Sequence, residues 1–210
     1  QPPPVRVIFL DIDGVICCNA YGRLEDSKLE ILRTVVQKTG AKVVLSTDWR
    51  RVPQLKQQVI TTLKNYGMTT IGATPCRPNW LAVRPEEITS WLKSYHSAPN
   101  AHEKGPIHHW VAIDDRPLLQ EQGGDELRGH FVRTKLAVGI TERIAQRMVE
   151  ILTGQDTGEP ETMMGGRATF AATDPSPAFG TPPAARLANT MGASPSPPMG
   201  GTRAGGTYSA

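Results

Sequence analysis

Two apolar runs in this chain end abruptly in acid pairs, "VIFLDID" at residues 7–13 and "WVAIDD" at residues 110–115. An apolar, β-branched run too short for a helix implies a strand buried on both faces, and such strands belong to parallel sheets covered by helices. The acids add a second constraint. Asp11 and Asp13 stand two positions apart, so an extended segment would point both to one side, where like charges repel. Something must hold them there, and Gly14 directly behind them permits a sharp turn.

Between and beyond these runs the pattern alternates. "SKLEILRTVVQKTG" predicts a helix with Leu29, Leu32, Val35 and Val36 on one face, Ser27 as N-cap, Glu30 three residues on, and Gly40 as terminator. "AKVVLS" predicts a buried strand, "VPQLKQQVITTLKNYG" a helix closed by Gly67, and "MTTIGAT" a further strand. "RPEEITSWLKSYH" places Pro85 in a helical first turn with two acids behind it. "HFVRT" predicts a short strand and "TERIAQRMVEILTG" a last amphipathic helix. The expected fold is therefore α/β, a single doubly wound, Rossmann-like parallel sheet with helices on both faces. Functional groups in such sheets gather outside the carboxyl ends of the strands.

The pattern stops at Thr153. Residues 153–210 hold ten Gly and eight Pro, above the share that marks low-complexity chain, and they show no apolar periodicity. Such a segment buries too little surface to offset its ordering entropy. The sequence thus predicts one domain over residues 1–152 and a disordered Gly/Pro/Ala/Thr-rich tail over residues 153–210. The domain carries 20 Lys plus Arg against 16 Asp plus Glu, a surplus too scattered to be a nucleic-acid footprint but compatible with an anionic substrate. Three cysteines suit neither a disulfide framework nor a zinc site, which points to reduced, intracellular chemistry in cytoplasm or nucleus. No apolar stretch is long enough to span a bilayer and no signal peptide is visible ahead of "QPPPVRV", so no membrane partner is expected.

Asp11, Asp13, Asp114 and Asp115 all stand at carboxyl ends of expected strands. Four acids in one crevice are costly unless a cation compensates them, and hard carboxylate oxygens suit Mg²⁺. The third strand end adds the hydroxyls of Ser46 and Thr47, either of which could face an anion, and Arg84 heads a helix where a cation and free N–H groups both attract one. Metal, hydroxyl and arginine around carboxylates make a phosphate site.

With those residues in that order, the chain resembles the haloacid dehalogenase-like (HAD) phosphohydrolase superfamily. "DIDGV" is similar to its first motif, Ser46 to the hydroxyl second, Arg84 to the basic third and "AIDD" to the acidic fourth. "LSTDWR", "RPEEITSWL" and "AIDDRPL" resemble more closely a branch found in RNA-repair proteins, and "IDDR" is similar to polynucleotide 3′-phosphatase domains. The resemblance implies that Asp11 attacks phosphorus to form an aspartyl-phosphate and that Asp13 protonates the leaving group and later activates water. It implies further that Asp114, Asp11 and the backbone carbonyl of Asp13 hold Mg²⁺ with Asp115 in support, while Ser46 or Thr47 and Arg84 bind phosphoryl oxygens.

Many HAD enzymes insert a cap domain after the first or the third strand. Here only twelve residues, Val15 to Asp26, lie in the first gap, and the second, about Pro75 to Val83, is also short. Without a large cap the crevice is open, which favours a bulky phosphorylated substrate such as a nucleic-acid end. A phosphoprotein phosphatase of the same chemistry, a non-catalytic phosphate- or metal-binding module and a receiver domain are the competing readings, although receivers carry their acids in a different order.

Other residues invite plainer readings. Arg84 could simply pair with Glu87, and Arg50 could reach substrate phosphate or lie on the surface. His108 and His109 are expected in a loop at the amino end of a strand, Trp91 and Trp110 in the core, and Cys17 and Cys18 as small buried filler. Trp49 and Trp80 are expected on loops near the mouth of the crevice, where either could stack on a base.

Overall fold

The computed structural model describes residues 2–77 and 83–155. Five parallel strands form one sheet: β1 (Val5–Leu10), β2 (Lys42–Leu45), β3 (Thr70–Ala73), β4 (Ile107–Asp114) and β5 (Phe131–Arg133), in the order β3-β2-β1-β4-β5. The chain runs from β1 outward through β2 to β3, then returns to place β4 on the other side of β1. The strand order reverses between β1 and β4, and the loops leaving their carboxyl ends part there.

The strands are the apolar runs of the sequence; β1, β2 and β4 are buried toward their carboxyl ends, whereas β3 is half-buried throughout. Alternation along each strand divides the core. Ile8, Leu10, Val43, Leu45, Val111 and Ile113 face helices α1 (Asp26–Thr39), α2 (Pro53–Asn65) and α5 (Glu142–Thr153). Val7, Phe9, Val44 and Ala112 face helix α3 (Arg84–Ser97) and two 3₁₀ turns at Leu118–Gln120 and Gly124–Leu127. Phe9 is fully buried there, edge-on to Trp91 and Trp110. Both tryptophans pack against the core as expected.

The helix ends follow local chemistry. Gly40, at φ 67°, closes α1 by donating its N–H to the Val36 carbonyl, and Thr141 caps α5 by accepting from the Ile144 N–H. Ser27 is not a cap. Glu25 occupies that position of α1, and its carboxylate is committed instead to the Cys18 N–H and the Asn19 amide, closing the loop from β1. His108 and His109 lie within β4 rather than in a loop, and no metal-binding group among the described residues includes them. A four-residue helix, α4 (Ala101–Lys104), was not legible in the sequence. Trp80 and the tail from residue 156 onward, on which the sequence carried expectations, lie outside the described residues.

The β1–α1 connection spans residues 11–25 and the β3–α3 connection residues 74–83, so neither carries a large cap. Among the described residues, no helix is long and apolar enough to cross a membrane.

Candidate active site

The site is built where three strands stop. Leu10 pairs in register with both Leu45 and Ile113, so the residues that follow, Asp11, Ser46 and Asp114, stand side by side at the carboxyl edge of the sheet. Backbone hydrogen bonds hold this alignment: the Asp11 N–H donates to the Ile113 carbonyl at 3.1 Å and the Ser46 N–H to the Leu10 carbonyl at 2.8 Å. Asp11, Ser46, Thr47, Arg84 and Asp114 are all buried.

Arg84 reaches into this group from the head of α3. Its Nη1 stands 3.0 Å from Asp11 Oδ1 and 2.6 Å from Asp114 Oδ2, and its Nη2 is 3.5 Å from Asp48 Oδ2. Burial works against the guanidinium's charge, but Asp11 and Asp114 outweigh it and raise the Arg84 pKa. One cation does not compensate the acids fully. Burial, reinforced by Asp114 and opposed by Arg84, lifts the Asp11 carboxyl to about 7, and burial together with Asp114 also raises Asp115.

Oxygens of Asp11, Asp114 and Asp115 lie within 4.8 Å of one another, an arrangement that could hold a metal ion. Two features support that fit. The donor set is purely carboxylate oxygen, which suits a hard divalent cation. The carboxylates are also under-compensated, as the raised Asp11 shows. Asp13 contributes no carboxylate oxygen to this group. It stands exposed beyond the strand, where the chain turns through Gly14 at φ 67°. The same glycine lets Asp115 approach, because a Cβ at position 14 would lie 2.7 Å from Asp115 Cβ. Of the two acids, Asp11 is buried and Asp13 is exposed.

Two buried polar atoms at the site have no hydrogen-bond partner among the described residues: Ser46 Oγ and Arg84 Nε. A buried hydroxyl and a buried guanidine N–H, each without a partner, are donors that a bound anion would satisfy. The Thr47 hydroxyl accepts from the Trp49 N–H at 3.4 Å and favours the charged form of Asp11.

The stretch after Ser46 makes contacts that the sequence did not reveal. Thr47, Asp48 and Trp49, three consecutive residues, touch Asp11, Arg84 and Asp13 in turn, the last through Trp49 Nε1 donating to Asp13 Oδ2 at 2.9 Å. Arg50, for which the sequence left open a contact with substrate phosphate or a place on the surface, is buried. It pairs with Glu87 at 2.5 Å and donates to the carbonyls of Thr47, Thr74 and Pro75. Glu87 is therefore the partner of Arg50, and Arg84 is left to the acids. The available signal was a Trp and two charged residues directly behind a strand-end hydroxyl.

Residues 7–145 match the family model described as the HAD domain in Swiss Army Knife RNA repair proteins. No curated protein matches the chain.

Proposed function

The chain belongs to the family of HAD domains in Swiss Army Knife RNA repair proteins, and on that premise we propose that it is a Mg²⁺-dependent phosphomonoester hydrolase acting on nucleic-acid phosphate ends. The observation that carries this reading is the convergence of Asp11, Asp114 and Asp115 on one another, with Arg84 bonded to two of them, at the point where the strand order reverses. The reading takes residues 1–152 as the catalytic unit.

Asp11 is the nucleophile. Its carboxylate oxygen bonds to phosphorus as the bond from phosphorus to the leaving oxygen breaks, and that oxygen takes a proton from Asp13. Water then attacks phosphorus of the aspartyl-phosphate, gives its proton to Asp13 and restores Asp11 as phosphate departs. Ser46 Oγ and the Arg84 guanidinium bind phosphoryl oxygens, where fixed donors act on charge that develops in the transition state. Thr47 orients the Asp11 carboxylate. Asp11, Asp114 and the backbone carbonyl of Asp13 would hold Mg²⁺, with Asp115 in support, and the ion supplies charge that favours ionised Asp11 and neutralises phosphate oxygens. The absence of a large cap leaves room for a polymer end, and the RNA-repair context of the family supports a nucleic-acid substrate.

The test is phosphate release by the full chain from p-nitrophenyl phosphate and from 3′- and 5′-phosphorylated oligonucleotides, with Mg²⁺ or EDTA, beside Asp11→Asn. Metal-dependent release lost in the variant is the expected result. Release from phosphopeptides but not oligonucleotides would move the assignment to a phosphoprotein phosphatase, and Mg²⁺ binding without release from any substrate would move it to a non-catalytic module.

A further inference from the structure

We propose that Trp49 is a positioning residue that sets the orientation of the Asp13 carboxylate for proton transfer, an inference that rests on the phosphohydrolase reading above. The indole Nε1 stands 2.9 Å from Asp13 Oδ2, within ordinary hydrogen-bond range. An indole N–H only donates, so the contact binds a carboxylate oxygen and cannot reverse. Asp13 is exposed on a turn, where a side chain samples several rotamers of similar energy. A fixed donor selects one of them. Engaging Oδ2 leaves Oδ1 to exchange a proton with the leaving oxygen.

The donor itself is held firmly. Trp49 is half-buried, and its ring packs against the core cluster that contains Leu10 and Leu45. Its backbone N–H donates to Thr47 Oγ1 at 3.4 Å at the start of a 3₁₀ turn, Asp48–Arg51, whose far end is locked by the buried Arg50. Thr47, which opens the turn, also favours the charged Asp11 carboxylate, so one turn bears on both nucleophile and proton donor. A mechanism in which one carboxylate attacks phosphorus while another protonates the departing oxygen depends on the spacing of the two.

The leaving group provides the test. Proton donation matters little when a p-nitrophenolate departs and greatly when an alkoxide departs, and kcat/KM covers the steps up to that departure, so hydrolysis of the aspartyl-phosphate does not enter. Trp49→Phe keeps the ring and removes the N–H. It is measured on a series of aryl and alkyl phosphates that carry no nucleobase, so any stacking of a base on the ring does not enter. The expected result is kcat/KM nearly unchanged for p-nitrophenyl phosphate and reduced about tenfold for alkyl phosphates, a fraction of the full contribution of a general acid. In an Asp13→Asn background the same substitution should have no further effect, and thermal melting of each variant verifies folding. An equal reduction on every substrate, no reduction on any, or full additivity with Asp13→Asn would overturn the role of Trp49. Failure of the reading beneath it shows separately, as wild-type protein that releases no phosphate or as Asp11→Asn that still does.

Discussion

Arg84 and Asp11 form a buried ion pair, with Nη1 3.0 Å from Oδ1 and both side chains almost wholly withdrawn from water. The same nitrogen serves Asp114, so Arg84 is the countercharge to two buried acids. Replacing it with Met leaves both without that partner, a loss that costs about 3–5 kcal/mol in comparable buried pairs. Urea unfolding in EDTA should show a decrease of that size. In Mg²⁺ the decrease should shrink, because the ion takes over part of the compensation, whereas catalysis should remain lost.

Gly14→Ala tests the close approach to Asp115. The positive φ alone costs an alanine about 1–2 kcal/mol, and its Cβ would lie 2.7 Å from both Cβ and Cγ of Asp115. Asp115 must move away. Displacing a supporting carboxylate typically weakens metal binding about 10- to 100-fold, so calorimetric titration with Mg²⁺ should show a loss in that range while the fold persists.

The metal-free protein should lose stability as pH rises. Asp11 has a folded-state pKa of about 7 against an ordinary value of 3.8, with burial as the main cause. Between those values the folded form holds a proton that the unfolded form has released, so stability falls by up to about 1.4 kcal/mol per pH unit and levels off above the folded pKa. Asp115 shifts the same way and adds to the slope. Thermal midpoints in EDTA from about pH 4.5 to 7.5 should decline in the wild type and decline less in Asp11→Asn. Equal slopes in the two proteins would contradict the assignment to Asp11.

Arg50 and Glu87 predict an asymmetry. Arg50→Met leaves the buried Glu87 carboxylate without its 2.5 Å partner and removes the donor to the Thr74 and Pro75 carbonyls, whereas Glu87→Gln retains a hydrogen-bonding group of the same shape. The first should cost about 3–5 kcal/mol and the second less. Chemical denaturation of both variants decides it.

The strands and long helices were legible because each carries its own periodicity: β1 is the run "VRVIFL", and α5 repeats Ala145, Met148, Ile151 and Leu152 along one face. The acids were legible because carboxylates directly behind buried strands are costly to keep charged unless a cation or a set of donors meets them. The partners were not. A buried arginine and an exposed one are spelled alike, and what buries Arg50 is a glutamate 37 positions away. Ser27 carried a sound capping signal but was displaced by Glu25, whose side chain was needed elsewhere, a competition that local pattern does not record. Trp49 suggested only stacking on a base, because nothing in the sequence marks an indole N–H that meets a carboxylate 36 positions away.

The strand order also has a consequence for biosynthesis. β1 emerges from the ribosome ahead of the other four strands and becomes the middle of the sheet, yet the strand that covers one of its two edges, β4, does not begin until Ile107. Until Ile113 arrives beside Leu10, the nascent chain carries an apolar strand with an open edge, the kind of surface that pairs with the wrong neighbour. The acids share that delay, since Asp11 meets Asp114 only when the same strand docks. Closing the sheet and assembling the site are therefore one event in the life of the chain, and a truncated product that lacks β4 would be both prone to aggregation and inert.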